Sequence, residues 1–406
     1  MKKSMDGSQM KKILFLTPQI PYPPISGGTI LTWHLIKYLA KNYRLDIALL
    51  IKGNDEKGIE ILKSQLPKEV NVWWKRINIP RSGVNLLKSY FYFLPLSIFR
   101  NLSFEFKNEL KDIIRKEKYD FIFIDHWLMY QYVPYEIKSK VILHEHNAEY
   151  IMWERASSEE RNWIKKMIVG FEAKRVKNYE RKICRAVNRI LCVTELDIRW
   201  LEQIGISREK LNMLTSVGDD SLLGFDDLEY NNTEKSLLHI GTMSWEANVN
   251  GILWFTNEIW PCLKNIEPNL KFYIVGKNPP QSIIRLNKCS DIIVTDFVKN
   301  IEPYYQKCRV FIAPLKFGSG IKVKILNAMA RGIPIVTTPI GVEGINVRDG
   351  IDIMVGTTPD EIISKVIMLL NDKEMWTKIK DNARKTIQKN YTWDRVFAKL
   401  DNILAS

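Results

Sequence analysis

The stretch APLKFGSGIKVKILNAMARGIPIVTTPIGVEG, Ala313 to Gly344, decides the reading of the chain. The end of an apolar run turns through Gly318-Ser319-Gly320 into a helical pattern, KVKILNAMAR, and a second apolar run, IPIVTTP, follows. Strand, glycine turn, helix and strand make a βαβ unit. Its first turn has the composition of an anion site, because glycine lets the backbone approach a ligand and the amides of a helix N-terminus favour negative charge. Lys322 and Lys324 add positive charge at the first helical turn, and Asn327 lies nearly one turn beyond Lys324 on the same face. A diphosphate fits such a turn. A glycine pair before a helix is on its own only a tight turn, and the two lysines make the pattern more specific.

The same alternation extends in both directions. From Leu237 it runs as strand LLHIG, helix NGILWFTNEIWPCL, strand LKFYIVG, helix QSIIRLNK, strand IIVTDF, helix IEPYYQKC and strand RVFIAPL. Beyond the opening segment come strand IDIMVG and helix PDEIISKVIMLLND. The first half starts on KKILFLTP, the loop QIPYPPISGG, the helix TILTWHLIKYLAK and the strand LDIALLI. Further strands are expected at Asn71–Trp74, Tyr119–Asp125, Lys140–Asn147 and NRILCVT, and Leu86 to Lys116 reads as helical. Strands that are apolar on both faces and separated by helices indicate parallel sheets covered on both sides. A chain of 406 residues suits two such domains. The expected fold is therefore α/β, with two Rossmann-like doubly wound parallel-sheet domains facing across a cleft, at residues 1–215 and 216–390. The Asp-, Asn- and Gly-rich stretch Ser221 to Lys235 reads as loop near the junction, and a last helix in 391–406 is expected to pack back on the first domain. Ligands of open parallel sheets bind at the carboxyl ends of the strands.

Composition excludes several classes. Hydrophobic residues at 46% and charged residues at 26% are globular values, neither disordered nor fibrous. The five cysteines are scattered without a CxxC pair, which argues against a disulfide framework or a zinc site. The apolar run Ile13 to Leu16 is too short for a signal peptide or a spanning helix, so a cytoplasmic protein is expected. A net charge of +14 invites partners with phosphates, or reflects a plain preference for lysine. No helix-turn-helix, zinc-finger or RNP-like segment supports nucleic acid as a partner. Lys165 to Arg189 reads as a basic amphipathic helix, and SYFYFLPLSIF, Ser89 to Phe99, is an aromatic run followed by Arg100. Two readings of these stay open: a surface for a lipid-linked acceptor or a peripheral contact with an anionic membrane, and an ordinary core helix with a proline bend.

The opening segment resembles the nucleotide-sugar motif of the retaining GT-B glycosyltransferases of family 4, in the branch that reads G-x-G-T-R-x-K-I-L-E-A-M-A-x-G-x-P-V-V. HIGTMSWEANVNGILWFTNEIWP, FYIVGKNPP and VTDFVKNIEPYY resemble the upstream parts of that domain. In the first half LTPQIPYPPISGGTILTWHLIKYLA resembles the family's glycine-rich loop and first helix, and LHEHNAEY its His-Asn turn. The resemblance covers nearly the whole chain. It implies that Gly27 and Gly28 bring backbone amides near the donor diphosphate or the acceptor. It implies a donor loop at Gly318, Ser319 and Gly320, with Glu343 and Gly344 beside it. Lys322 and Lys324 would neutralise the leaving diphosphate, and His146 would contact the transferred sugar, with His144 the lesser candidate. The family's two glutamates, with seven residues between them, are Ser319 and Asn327 here; asparagine offers a ribose hydroxyl a neutral bond in place of a charge-assisted one.

The function so implied is retaining transfer from a UDP- or GDP-linked sugar to a glycan, lipid-linked or small-molecule acceptor in cell-surface polysaccharide or glycoconjugate synthesis. The nucleotide sugar is a co-substrate, no further cofactor is expected, and no D-x-D motif marks a metal site. Catalysis would rest on positioning and electrostatics. The rival readings are a catalytically weak binding subunit, which the changes at Ser319 and Asn327 keep open, and a nucleotide-sugar epimerase, which five histidines in the whole chain make less apt.

Overall fold

The computed structural model describes residues 10–24, 27–53, 55–160, 162–243, 245–318 and 320–405. The chain divides into two compact units, Met1–Leu214 and Thr215–Ser406.

The first unit is a sheet of seven parallel strands: β1 (Lys12–Thr17), β2 (Arg44–Ile51), β3 (Val72–Arg76), β4 (Phe121–Asp125), β5 (Lys140–Glu145), β6 (Arg189–Cys192) and β7 (Leu211–Met213). Their order is β3-β2-β1-β4-β5-β6-β7. The apolar runs of β1, β2 and β4 are buried along almost their whole length, as expected where helices cover both faces. The helix Gly27–Asn42 that joins β1 to β2 buries Leu31, Leu35, Ile36 and Leu39 on one stripe. Connections leave β1 in one direction along the sheet and resume at β4 on its other side, so the carboxyl ends of these two strands flank a switch point where open α/β sheets hold ligands.

The second unit repeats the plan with β8 (Glu234–Ile240), β9 (Lys271–Val275), β10 (Ile292–Thr295), β11 (Cys308–Ala313), β12 (Ile335–Thr337) and β13 (Met354–Val355), in the order β10-β9-β8-β11-β12-β13. Its switch point lies between β8 and β11. Phe255, Phe272, Phe311 and Trp376 fill its core. The final helix, Trp393–Ala405, is grouped with this unit, and its Trp393 amide donates to the Asp220 carboxylate at 2.9 Å.

Several elements differ from expectation. The helical reading of 86–116 is three helices, Gly83–Phe91, Leu96–Phe99 and Phe104–Glu117, broken where Phe93 adopts a φ of 54° just before Pro95. QSIIRLNK is two short turns of different pitch, Gln281–Ile284 and Arg285–Lys288. IDIMVG forms a strand of only two residues, Met354–Val355. The Ser221 to Lys235 stretch, read as loop, contains the turns Asp220–Gly224 and Tyr230–Asn232 and already enters β8 at Glu234. Among the described residues no helix is long and apolar enough to cross a membrane.

Candidate functional site

In the first unit the polar side chains at the carboxyl ends of β1, β4 and β5 converge on Asp125. Its carboxylate is 1% exposed and accepts four hydrogen bonds. Thr17 and Thr32 hydroxyls donate to Oδ2 at 3.0 and 2.8 Å, and His144 Nδ1 and His146 Nε2 meet Oδ1 at 2.9 and 2.8 Å. The donor atoms of Asp125, His144 and His146 lie within 4.8 Å of one another. Both ring nitrogens are directed at the same carboxylate oxygen, which is the geometry of a hydrogen-bonded network.

This network sets the charges. Burial alone would raise the Asp125 carboxyl, but the charge of His146 and the bonds from both histidines hold it well below the usual carboxylate range. Burial works against protonation of His146, and Asp125 outweighs it, so that His146 is raised. His144, fully buried and beside the charge of His146, is pushed down to about 4 in spite of its bond to Asp125. The network thus favours the charged forms of Asp125 and His146 and the neutral form of His144. With Nε2 turned onto Asp125, His146 presents Nδ1 to the start of the Gly27–Asn42 helix. A Cβ on Gly28 would stand 3.3 Å from that nitrogen, which is why a residue without a side chain suits the position. Gly27 is the first residue of the same helix. His126, which follows β4 at a φ of 89°, packs its ring 5.5 Å from that of His146 and lies 3.4 Å from Glu149.

The turn after His146 is held from behind by acids. Asp197 Oδ1 accepts the Ala148 amide at 2.9 Å, and Glu180 accepts the amides of Glu149 and Tyr150 at 2.8 and 2.9 Å. Glu145, between the two histidines, is fully buried, and neither of its oxygens has a hydrogen-bond partner among the described residues. Burial, and then the carboxylates of Glu180, Glu149 and Asp197, push its pKa well above the ordinary value, which favours its protonated form. A carboxyl raised in the folded state gives stability that is present below the unfolded value of 4.5 and is lost as pH rises. Glu145→Gln is accordingly expected to match the parent at acid pH and to gain on it by up to about 1.4 kcal/mol per pH unit above that. Urea unfolding at pH 5 and pH 8 checks this, and parallel pH dependences of the two proteins would contradict it.

In the second unit the loop after β11 turns at Gly318 and Gly320, with φ of 135° and 69°, conformations that side chains disfavour. Ser319 lies outside the described residues. A Cβ on Gly318 would also meet the Trp245 ring at 3.1 Å. The helix Val323–Arg331 begins at Lys322 without a side-chain cap. The Ile325 amide turns back to the Lys322 carbonyl at 2.8 Å, and no side chain caps the amides before it, an arrangement that suits an anion. Lys322 is 4% exposed; its ammonium donates to the Gly320 carbonyl at 2.7 Å and lies 3.8 Å from Glu343. Gly344 closes the turn of Glu343 at a φ of 82°. Lys324 donates to Asn248 Oδ1 and sits 5.8 Å from the centre of the Trp245 ring. Burial and then the charge of Lys322 lower its pKa to about 7. Asn327 Oδ1 accepts the Asp219 amide at 2.8 Å, so this oxygen is committed to its own chain.

The structure thus brings Gly28 and His146 together in the first unit, and Gly318, Gly320, Lys322, Lys324 and Glu343 in the second. His144 turns out to be a buried partner of Asp125. Sequence reasoning missed Asp125, Thr17 and Thr32, and also Trp245 and Asn248. A usable signal was present: a polar residue closing an apolar strand, as in KILFLT and FIFID, stands where the sheet opens to ligand.

Comparison with known proteins places these features in a family. The family described as Glycosyltransferase Family 4 matches residues 25–214, and that described as Glycosyl transferases group 1 matches residues 234–372. An uncharacterized 44.6 kDa protein in the cps region of Klebsiella pneumoniae is 22% identical, over 96% of this chain and 99% of its own. HepE of Anabaena in complex with UDP has a similar fold, with a TM-score of 0.64 at 14% identity over 97% of this chain and 99% of that one. The same protein has been solved with UDP-glucose. A TarM variant of S. aureus in complex with fondaparinux, alpha-GlcNAc-glycerol and UDP gives a TM-score of 0.67 at 12% identity, covering 98% of this chain and all of that one. With matches across both halves and the same two-domain architecture, the chain belongs to the group 1, family 4 glycosyltransferases and has the GT-B fold.

Proposed function

We propose that this glycosyltransferase moves a sugar from a UDP-linked donor to a hydroxyl of a growing surface glycan, with retention of anomeric configuration. The observation that carries the reading is the glycine turn at Gly318 and Gly320, opening on an uncapped helix start flanked by Lys322 and Lys324. Such a cradle offers backbone amides and two ammonium groups to a diphosphate whose negative charge grows as the glycosidic bond breaks. UDP over GDP is favoured by the complexes of HepE with UDP and UDP-glucose, and a surface glycan by the relative in a cps region. In the first unit His146, oriented by Asp125, contacts the transferred sugar through the edge that carries Nδ1.

For retention, the leaving phosphate accepts the proton of the attacking hydroxyl on the face it departs from, so no protein carboxylate has to act as base. No cofactor and no metal enters this reading, and Asn327 meets the ribose with its amide NH2, since its oxygen is held by Asp219. A cytoplasmic, membrane-peripheral placement belongs to the same reading. Thermal unfolding with UDP, GDP, ADP and their sugar conjugates tests it. UDP at a hundred times its dissociation constant is expected to add about 2.7 kcal/mol of apparent stability. If no nucleotide stabilised the protein, the reading would fall.

A further inference from the structure

In the second unit the turn between β8 and the helix Glu246–Trp254 packs beside the glycine turn at Gly318, and the two are locked together. The amides of Gly241 and Met243 donate to the Val275 and Lys277 carbonyls at 3.0 and 2.9 Å, which pins this turn to the end of β9. A Cβ on Gly276 would stand 1.8 Å from the Gly241 carbonyl oxygen, and one on Gly251 would stand 2.3 Å from that of Pro314. Only glycine permits either approach. The second contact fixes the helix against the segment that leads from β11 to Gly318, and the Trp245 ring borders Gly318 itself.

Asn248, buried on this helix, is the polar side chain that the frame turns towards Lys324. Its amide is committed at both ends. Nδ2 donates to the Thr242 carbonyl at 2.8 Å, and because a carbonyl only accepts, that bond decides which way the amide faces and presents Oδ1 to the Lys324 ammonium. The Trp245 ring meets the same ammonium with its face. The charged and titratable groups around Lys324 are Lys322 at the start of its own helix, with Glu343 beyond it, and His239 on β8. His239 Nδ1 donates to the Ile312 carbonyl at 2.8 Å, which leaves Nε2 bare, and burial and then the charge of Lys324 disfavour its protonation. The Lys324 ammonium is thus held by a neutral amide and an aromatic ring, neither of which cancels its charge.

We propose that Asn248 is a positioning residue of the donor site, which holds the Lys324 ammonium beside the Gly318 turn and leaves its charge for a diphosphate. The inference rests on the reading of Lys324 as a group that meets the leaving diphosphate, and it names what sets that group in place. An amide oxygen suits the task better than the alternatives. A carboxylate at this position would hold the ammonium more firmly but would cancel its charge and repel the diphosphate. An apolar side chain of the same size would leave the ammonium without an acceptor and favour its neutral form. The neutral oxygen of Asn248 fixes the place of the charge and keeps it available, and the bond to Thr242 spares the amide from having to be oriented when the donor arrives.

Competitive labelling of the full chain with acetic anhydride, read by mass spectrometry across a range of pH, follows the ionisation of Lys324 with no ligand present. The parent is expected to show a midpoint of about 7. Asn248→Asp should move it up by about 1–3 pH units, the effect of an opposite charge at contact, and Asn248→Leu should move it down, because the acceptor of the charged form is gone. Both variants lose the bond to Thr242, so an asparagine with a merely structural role would move the two midpoints alike. Asn248→Met, whose adaptable side chain also lacks the acceptor, repeats the leucine arm, and circular dichroism confirms folding. UDP affinity at pH 7 should fall by about tenfold or more in Asn248→Asp, where a carboxylate stands beside the diphosphate. Midpoints that shift together or stay at the parent's value overturn the proposal, as does full UDP affinity in Asn248→Asp. If UDP failed to bind even the parent, the glycosyl-transfer reading would fall while labelling still decided what holds Lys324; if UDP bound the parent and the midpoints did not part, this inference alone would fall.

Discussion

Replacing Asp125 by alanine is expected to lower the unfolding free energy by about 3–5 kcal/mol, the range for breaking a buried ion pair by removing one partner. The side chain is 1% exposed, and its loss leaves two threonine hydroxyls and two histidine nitrogens without their acceptor. Asp125→Asn keeps an acceptor oxygen but not the charge, and a smaller loss of about 1–3 kcal/mol is expected. The pH dependence separates charge from shape. In the parent, Asp125 is held below its unfolded value of 3.8, so its contribution is present above that pH and is lost on acidification. His146 is raised above 6.5, so its contribution is complete below pH 6.5 and is lost as pH rises beyond it. His144, lowered to about 4, removes stability as pH falls from 6.5 towards that value. Without the charge at 125 the His146 loss on the alkaline side should disappear. Urea midpoints from pH 4 to pH 9 on both variants check this, and an alanine variant as stable as the parent would remove Asp125 from the centre of the network. Activity should fall in both variants, since His146 loses the bond that fixes which nitrogen it presents.

The two sheets were legible because apolar runs of strand length alternate with helical periods, a local property of the chain. The network around Asp125 was not, because its parts are brought together only by the sheet order: Thr17 and Asp125 are 108 residues apart and touch because β1 and β4 are neighbours. Asn327 shows the same limit. Its place in the family's motif marked it as a ligand residue, but its oxygen is taken by the Asp219 amide, 108 residues upstream. The aromatic run at 89–99 was legible as apolar and ambiguous as core or surface. Its division depends on one left-handed residue and on a clamp from Arg175, more than eighty residues away. Lys322 and Lys324 looked alike in sequence, and the fold gives them different surroundings.

That difference leads to the second large effect. Lys322→Met is expected to lower kcat/KM by a factor of about 10²–10³, the scale for removing one preorganised donor to developing negative charge. Methionine keeps the apolar stem packed, but it leaves Glu343 without the ammonium 3.8 Å away, so instability of the loop could imitate a loss of binding. Pairing it with Glu343→Gln removes that carboxylate charge as well. The double variant should regain stability and still be stabilised less by UDP than the parent; full recovery of UDP binding together with stability would show that Lys322 only holds the loop. Lys324 supplies an independent reading. Its pKa of about 7 means that much of its charge is absent above neutral pH, and a diphosphate beside it favours the charged form. UDP binding at pH 8 should therefore take up a proton, seen in titration calorimetry as an enthalpy that changes with the ionisation heat of the buffer, and affinity should fall as pH rises from 7 to 9. In Lys324→Met the uptake should vanish. In Lys322→Met it should shrink, because removing the Lys322 charge takes away one of the two causes that lower Lys324, and an ammonium already charged at pH 8 has no proton to gain.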